Sequence, residues 1–204
     1  MDVPLVAVTG GIAAGKSTVC ARFRELGAHV ESADDLVRFV QAKGSSVLDE
    51  IRERFGLGVI TADGELDRAA LGRLVFDDLD ARRDLESIVH PAIAREFSRR
   101  RELAYSVDPN AIIVYDIPLL VETNRVDEFD VVVVLSCNED IRHKRLVELR
   151  GFTPEDATSR IAAQATEEQR IAVADFVIDT GGSVPQTIAQ VDAVWSDLVA
   201  AFRV

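Results

Sequence analysis

One stretch of nine residues, Gly10-Gly11-Ile12-Ala13-Ala14-Gly15-Lys16-Ser17-Thr18, constrains this chain more than any other. It fits G-x-x-x-x-G-K-[ST] without a gap. Leu5-Val6-Ala7-Val8-Thr9 before it has the length and β-branched character of a buried strand. After it, Ser17 to Leu26 carries Val19, Phe23 and Leu26 at helical spacing. Strand, glycine loop and helix in that order turn successive backbone N–H groups toward one point and aim a helix N-terminus at it. The arrangement suits nucleotide phosphates. The amides from Gly11 through Gly15 form the cradle, Lys16 reaches the β- and γ-phosphates, Ser17 ligates Mg²⁺ and Thr18 adds a hydroxyl. A dinucleotide fingerprint, G-x-G-x-x-G, is the competing reading, and Ile12 stands where its second glycine is required.

Composition narrows the setting. At 204 residues and 48% hydrophobic, the chain can bury a full core. No run approaches the roughly 18 apolar residues of a membrane span. Met1-Asp2-Val3-Pro4 is acidic and leads directly into the first strand, unlike a basic signal peptide. Cys20 and Cys137 lie far apart, each inside an element, and read as reduced buried thiols of a cytoplasmic protein. The net charge of −12 argues against a nucleic-acid partner. Only Lys16, Lys43 and Lys144 are lysines, so positive charge is carried mostly by arginine, which suits bidentate phosphate contacts. An acidic chain that binds ATP must concentrate that charge locally.

A second strand, His29-Val30-Glu31, leads to Ser32-Ala33-Asp34-Asp35. Asp34 thus lies at a strand's carboxyl end, where open α/β sheets place ligands, and it equally suits the first turn of the helix that follows. From Ser45 to Ala104 the pattern is helical throughout: stripes at Val47, Ile51 and Phe55, then Leu71, Leu74 and Val75, then Leu85, Ile88 and Val89. His90-Pro91 is expected to break the third helix, with a fourth from Ala92 to Leu103. Some sixty helical residues between two parallel strands exceed a simple crossover and imply an inserted subdomain. His90 reads as a helix-junction residue, without a His or Cys partner at ligand spacing.

Ala111-Ile112-Ile113-Val114-Tyr115 is a buried strand ending in Asp116-Ile117-Pro118. Asp116 suits either the carboxylate that helps hold Mg²⁺ beyond such a strand or a satisfied turn. Val131 to Leu135 is a further strand. The helix from Asn138 to Arg150 carries Arg142, Lys144, Arg145 and Arg150, the local positive cluster that the composition requires. As exposed charges, these arginines should contribute little to stability. Thr153-Pro154 starts the next helix, Phe176 to Asp179 is the last strand, and Val184 to Phe202 closes the chain with Ile188, Val191, Val194, Trp195 and Leu198 inward. The whole reads as a three-layer α/β domain with a five-stranded parallel sheet. Two apparent GTPase elements, Asn124-Arg125-Val126-Asp127 and Asp179-Thr180-Gly181-Gly182, stand in the wrong order for one. Arg99-Arg100-Arg101 reads as cations ending a helix.

With these residues in hand, the chain closely resembles the dephospho-coenzyme A kinase family from Val6 to about Gly182. The likeness runs through Val8-Thr9-Gly10-Gly11-Ile12, Ala33-Asp34 with Arg38, Phe55-Gly56, Leu66-Asp67-Arg68 and His90-Pro91. It continues in Pro118-Leu119-Leu120 with Glu122, Arg145-Leu146, Gln164-Ala165, Arg170 and Ala174-Asp175-Phe176-Val177-Ile178-Asp179. Ser32 stands where the family usually has a first Asp, Ala13-Ala14 where Gly-Ser is usual, and Thr180 where Asn is common.

The resemblance implies a P-loop kinase fold with three parts: a nucleotide-binding core over 1–44, 105–137 and 171–204, a helical acceptor subdomain over about 45–104 and a lid over about 138–170. It implies transfer of the γ-phosphoryl group of ATP to the 3′-hydroxyl of dephospho-coenzyme A, with Mg²⁺. Asp34 would act as base beside Lys16 and Arg145. Arg145 and Arg150 would join the loop on ATP, and Asp34, Arg38, His90, Pro118, Leu119 and Glu122 would hold the acceptor. A monomer or small homo-oligomer acting on small molecules, with no nucleic-acid or membrane partner, is expected. The other readings are a P-loop kinase for a nucleoside monophosphate or sugar, and a nucleotide-dependent switch with no acceptor.

Overall fold

A computed structural model describes residues 4–76 and 78–202. In chain order the elements are β1 (Leu5–Gly10), α1 (Lys16–Glu25), β2 (His29–Ser32), α2 (Ala33–Val40), α3 (Ser46–Phe55), α4 (Arg68–Phe76) and α5 (Leu79–Val107). They continue as β3 (Ile113–Asp116), β4 (Val131–Ser136), α6 (Glu139–Arg150), α7 (Pro154–Ala162), α8 (Glu167–Ile171), β5 (Phe176–Asp179) and α9 (Val184–Phe202). The sheet order is β2-β3-β1-β4-β5 with every neighbouring pair parallel. β1 is therefore the central strand, and the loop that leaves its carboxyl end lies where open parallel sheets bind ligands.

Burial explains the strands. All six residues of β1 are buried, as a strand covered on both faces requires. Val6, Val8, Ile112, Val114, Val133 and Ile178 form the sheet's share of one core with Val19, Cys20 and Phe23 of α1 and Val191, Trp195 and Leu198 of α9. Each fully buried side chain of this size contributes roughly 1.5–3 kcal/mol. Local signals set the helix ends: Asn138 caps α6 through Asp140 N, Gly151 ends it at φ 70°, and Thr153 caps α7 ahead of Pro154.

The chain divides into two compact units: the described residues up to Ala33 with those from Val107 onward, and Asp34 to Ser106. The first holds the whole sheet and α6 to α9. The second takes in α2 as well as α3 to α5, whereas the sequence reading begins the helical part at 45. Its own core gathers Val40, Val47, Ile51, Val59, Leu71, Val89 and Ala92.

The expected helix break at His90-Pro91 is absent, and α5 runs through it for 29 residues. Pro91 removes one backbone hydrogen bond and normally costs about 3 kcal/mol inside a helix. Here His90 and Pro91 are both exposed, so the loss falls on the solvent side. Val89 and Ala92, with Leu85, Ile88 and Ile93, hold the other side in the core of the unit. Arg99-Arg100-Arg101 is likewise interior to α5 and does not end a helix. Arg99 and Arg100 both pair with Glu96, and Arg100 and Arg101 stack over Phe39 and Phe97. The Asn124 motif is a turn in which Asn124 takes φ 51° and Arg125 grips Glu128.

Glu96 gives the helical unit an acid-sensitive joint. Hydrogen bonds from Arg99 first, then Arg100, outweigh burial and hold its carboxyl at about 2. A depressed carboxylate stabilises in full above its unfolded value of roughly 4.3, and the contribution fades as pH falls through that range toward 2. Urea unfolding should show wild type more stable than Glu96→Gln near neutral pH. The gap should narrow steadily below about pH 4.3. A gap that stays constant with pH would remove Glu96 as the source.

Among the described residues no helix is long and apolar enough to cross a membrane. Cys20 and Cys137 are both free and buried.

Candidate nucleotide site

The loop after β1 is built as an anion cradle. Ala14 N donates to Gly11 O at 3.0 Å, closing the turn. Gly15 takes φ 88° and caps α1 with no side-chain hydrogen bond, leaving the helix N-terminus open. Ala13 also takes a positive φ, 61°, which a residue with a Cβ adopts at a cost of about 1–2 kcal/mol. Its methyl group is buried against Leu146, Ala157 and Ile161 of α6 and α7, and that packing helps hold the strained turn. Ala13 thus does more than tolerate the place of a glycine. Lys16 is half-buried at the start of α1, with Nζ 3.4 Å from Gly10 O, while Ser17 is exposed.

Arginines gather on the loop from α6 and α8. Arg145 donates to Ala13 O at 3.2 Å and to Thr180 O at 2.6 Å, tying the loop to the segment after β5. Thr180 is itself fixed by two bonds to Ser136 O. The expectation that Arg145 is an exposed charge is therefore corrected. It is half-buried, and a hydrogen bond from a charged donor contributes about 1.5–3 kcal/mol. Beside it is a cavity of about 280 Å³ lined by Ala13, Gly15, Thr18, Arg145, Arg150 and Thr180 among others. Arg150 is exposed at its edge.

Residues beyond those expected to bind ATP join the loop too. Gln164 Oε1 accepts from Ile12 N at 2.7 Å. Arg142 and Arg170 are buried. Arg170 meets Glu122 at 3.3 Å, and Glu122 also accepts from Ala165 N. The Glu122 carboxylate is thus engaged with the segment around α8.

Asp116 is half-buried at the end of β3, beside Val8 of β1 and Ser32 of β2 in the sheet register. Its charge reaches α1: burial first, then Asp116, pushes the Cys20 thiol up to about 12, against the opposing pull of Arg24 and Lys16. Pro118 and Leu119 begin the turn beyond β3, where Pro118 O accepts from Thr9 Oγ1 and Leu119 O from Thr123 Oγ1. The remaining expected residues belong to the helical unit. Asp34 is exposed in the first turn of α2, Arg38 pairs with Asp35 at 3.6 Å, and His90 is exposed on α5. Asp34 makes no hydrogen bond or ion pair among the described residues, which argues against a capping role.

As a donor set, Ser17 and Asp116 offer hard oxygens, the kind that Mg²⁺ accepts alongside phosphate and water. Among the described residues there is no cluster of three or more His, Cys, Asp or Glu that could hold a metal ion.

Comparison with known proteins points to one family. A family model described as Dephospho-CoA kinase matches residues 4–186. A dephospho-CoA kinase of Leifsonia xyli is 50% identical over 194 residues, covering 95% of this chain and 98% of the relative. One from Cutibacterium acnes is 46% identical, covering 97% and 86%. The solved dephospho-CoA kinase of Campylobacter jejuni superposes with a TM-score of 0.71 at 25% identity, covering 97% of this chain and 98% of that one.

Proposed function

The chain belongs to the dephospho-CoA kinase family, and from that premise we propose that it transfers the γ-phosphoryl group of ATP to the ribose 3′-hydroxyl of dephospho-coenzyme A. The observation that carries the reading is one local assembly. An open helix N-terminus, Lys16 and Arg145 converge on a strained loop beside a cavity that Arg150 and Thr180 complete. Phosphoryl transfer asks for little covalent chemistry from the protein and much in-line placement and charge neutralisation.

The loop amides and Lys16 hold the phosphates. Arg145, pinned between Ala13 and Thr180 carbonyls, keeps a guanidinium edge beside the same cavity without reorganising. Ser17 and Asp116 would hold Mg²⁺, which would supply neutralisation of the charge on the transferred phosphoryl group. Asp34 would orient the acceptor hydroxyl and take its proton late, with Arg38, His90, Pro118 and Leu119 contributing to acceptor binding. Glu122 would act there mainly by fixing Arg170 and Ala165. Residues 138–170 would form the lid that keeps water from competing. Two free buried thiols and dependence on ATP fit a cytoplasmic setting, and the protein would act there as a monomer or small homo-oligomer.

The test is an acceptor panel with ATP and Mg²⁺, following ADP and phosphorylated product. Rapid turnover is expected with dephospho-coenzyme A and little with shikimate, gluconate or nucleoside monophosphates. Preference for another acceptor would move the chain to a different substrate, and slow hydrolysis indifferent to every acceptor would make it a nucleotide switch.

A further inference from the structure

Two buried arginines remain that the reading above does not use. A Cβ built on Gly11 would stand 2.5 Å from Arg142 Nη1 and 3.4 Å from Arg170 Nη1, so both guanidinium groups press on one glycine of the phosphate loop. Both side chains are more than nine-tenths buried, Arg142 at 6% and Arg170 at 3% exposure. Arg142 donates through Nε to Cys137 O, and Arg170 through Nη2 to Glu122. Arg142 Nη1 and Arg170 Nε are buried with no hydrogen-bond partner among the described residues. Arg170 alone has a carboxylate, Arg142 has a backbone carbonyl, and two charged donors are desolvated without an acceptor. Such a pair is costly unless an anion comes to it, because each unmet charged donor carries its full desolvation penalty.

The position indicates which anion. The cavity on the Arg145 side touches Ala13, Gly15 and Thr18, the later part of the loop, and holds neither Gly11 nor Arg142 nor Arg170 in its lining. Gly11 is at the loop's other end, next to the end of β1. If the nucleoside occupies the cavity, the Gly11 end faces the far end of the phosphate chain. We propose that Arg142 and Arg170 form a paired-guanidinium clamp for the terminal phosphoryl group, through which the site distinguishes a nucleoside triphosphate from a diphosphate. Arg170 is the member anchored by Glu122. Arg142, with no carboxylate, is the member whose donor capacity goes to the substrate. Glycine at position 11 leaves room for this approach, since a methyl group there would push the Arg142 fork aside.

The proposal rests on the nucleotide site proposed above, and its test separates the two. Calorimetric titration would compare a non-hydrolysable β,γ-imido ATP with ADP, each with Mg²⁺, on wild type and Arg142→Gln. Wild type should prefer the triphosphate. In the variant that preference should fall about 10- to 100-fold while ADP affinity stays within about threefold, the scale of one charge-assisted hydrogen bond. General damage to the fold would weaken both nucleotides together. Should Arg142→Gln fail to fold, Arg142→Lys carries the test. It keeps a charge but loses the fork, so the preference should fall several-fold. An unchanged triphosphate-to-diphosphate ratio in the folded variant overturns the clamp alone. Failure of wild type to bind either nucleotide overturns the clamp together with the site beneath it.

Discussion

Replacing Lys16 with alanine is expected to lower turnover by on the order of 10²–10³, the scale of losing one preorganised charge-stabilising donor. Three features make the loss specific to chemistry. Lys16 is the first residue of α1, directly after a left-handed Gly15 that leaves the helix N-terminus without a side-chain cap. Its ammonium already lies 3.4 Å from Gly10 O, inside the turn, and needs little rearrangement to meet a phosphate. The surrounding chain carries a net charge of −12, so a single cation at this point cannot be replaced by a diffuse positive field. The variant should melt within a few degrees of the parent, because Val19, Cys20 and Phe23 fasten α1 to the sheet. Steady-state kinetics beside a melting curve decide the matter. A folded Lys16→Ala protein with near-normal turnover would remove the assignment of the loop.

The second large effect is expected at Asp34. General-base assistance typically contributes roughly 10²–10⁴ in rate, and orientation supplies part of that when the proton leaves late. Asp34→Asn keeps the shape and removes the charge, so turnover should fall by about two orders of magnitude or more with ATP affinity unchanged. Stability should hardly move, since the exposed carboxylate makes no hydrogen bond or ion pair among the described residues. Asp35→Asn is the control. Its carboxylate faces Arg38 at 3.6 Å on an exposed helix surface, where such pairs contribute about 0–1 kcal/mol, so its kinetics should stay within a few-fold of the parent. An inactive Asp35→Asn would shift the assignment by one residue. If both variants turn over normally, the base must be sought first at Asp116.

What the sequence made legible was what it encodes locally. The loop announced itself because its glycines, lysine and hydroxyls are contiguous, and its flanking strand and helix have their own periodicities. The three central strands, β1, β3 and β4, were legible for the same reason, as short apolar runs buried on both faces. Pro91 misled because a local rule met a tertiary one: the proline penalty is fixed, while the packing of Val89 and Ala92 that offsets it is contributed by other helices. Arg145 was found as a cation but misjudged as exposed, since its partners, the carbonyls of Ala13 and Thr180, are distant in sequence and have no side-chain signature. The same holds for Arg142, Arg170 and Gln164. No spacing relates them to Gly11 or Ile12, and only the fold brings them to the loop.

The insertion of the helical unit between β2 and β3 has a consequence for how the chain is made. β1 is the central strand, yet its two neighbours begin at Ile113 and Val131. While a ribosome adds residues at roughly 5–20 per second, β1 emerges and then waits several seconds before either flank exists. During that interval its six-residue strand, apolar from Leu5 to Val8 and without Pro or charge, has both edges open. Residues 34–106 draw on contacts nearer in sequence and can close their own core in the same interval. The order of synthesis thus places the phosphate loop among the last parts of the molecule to find its surroundings, after α6, α8 and β5 have followed β4 out.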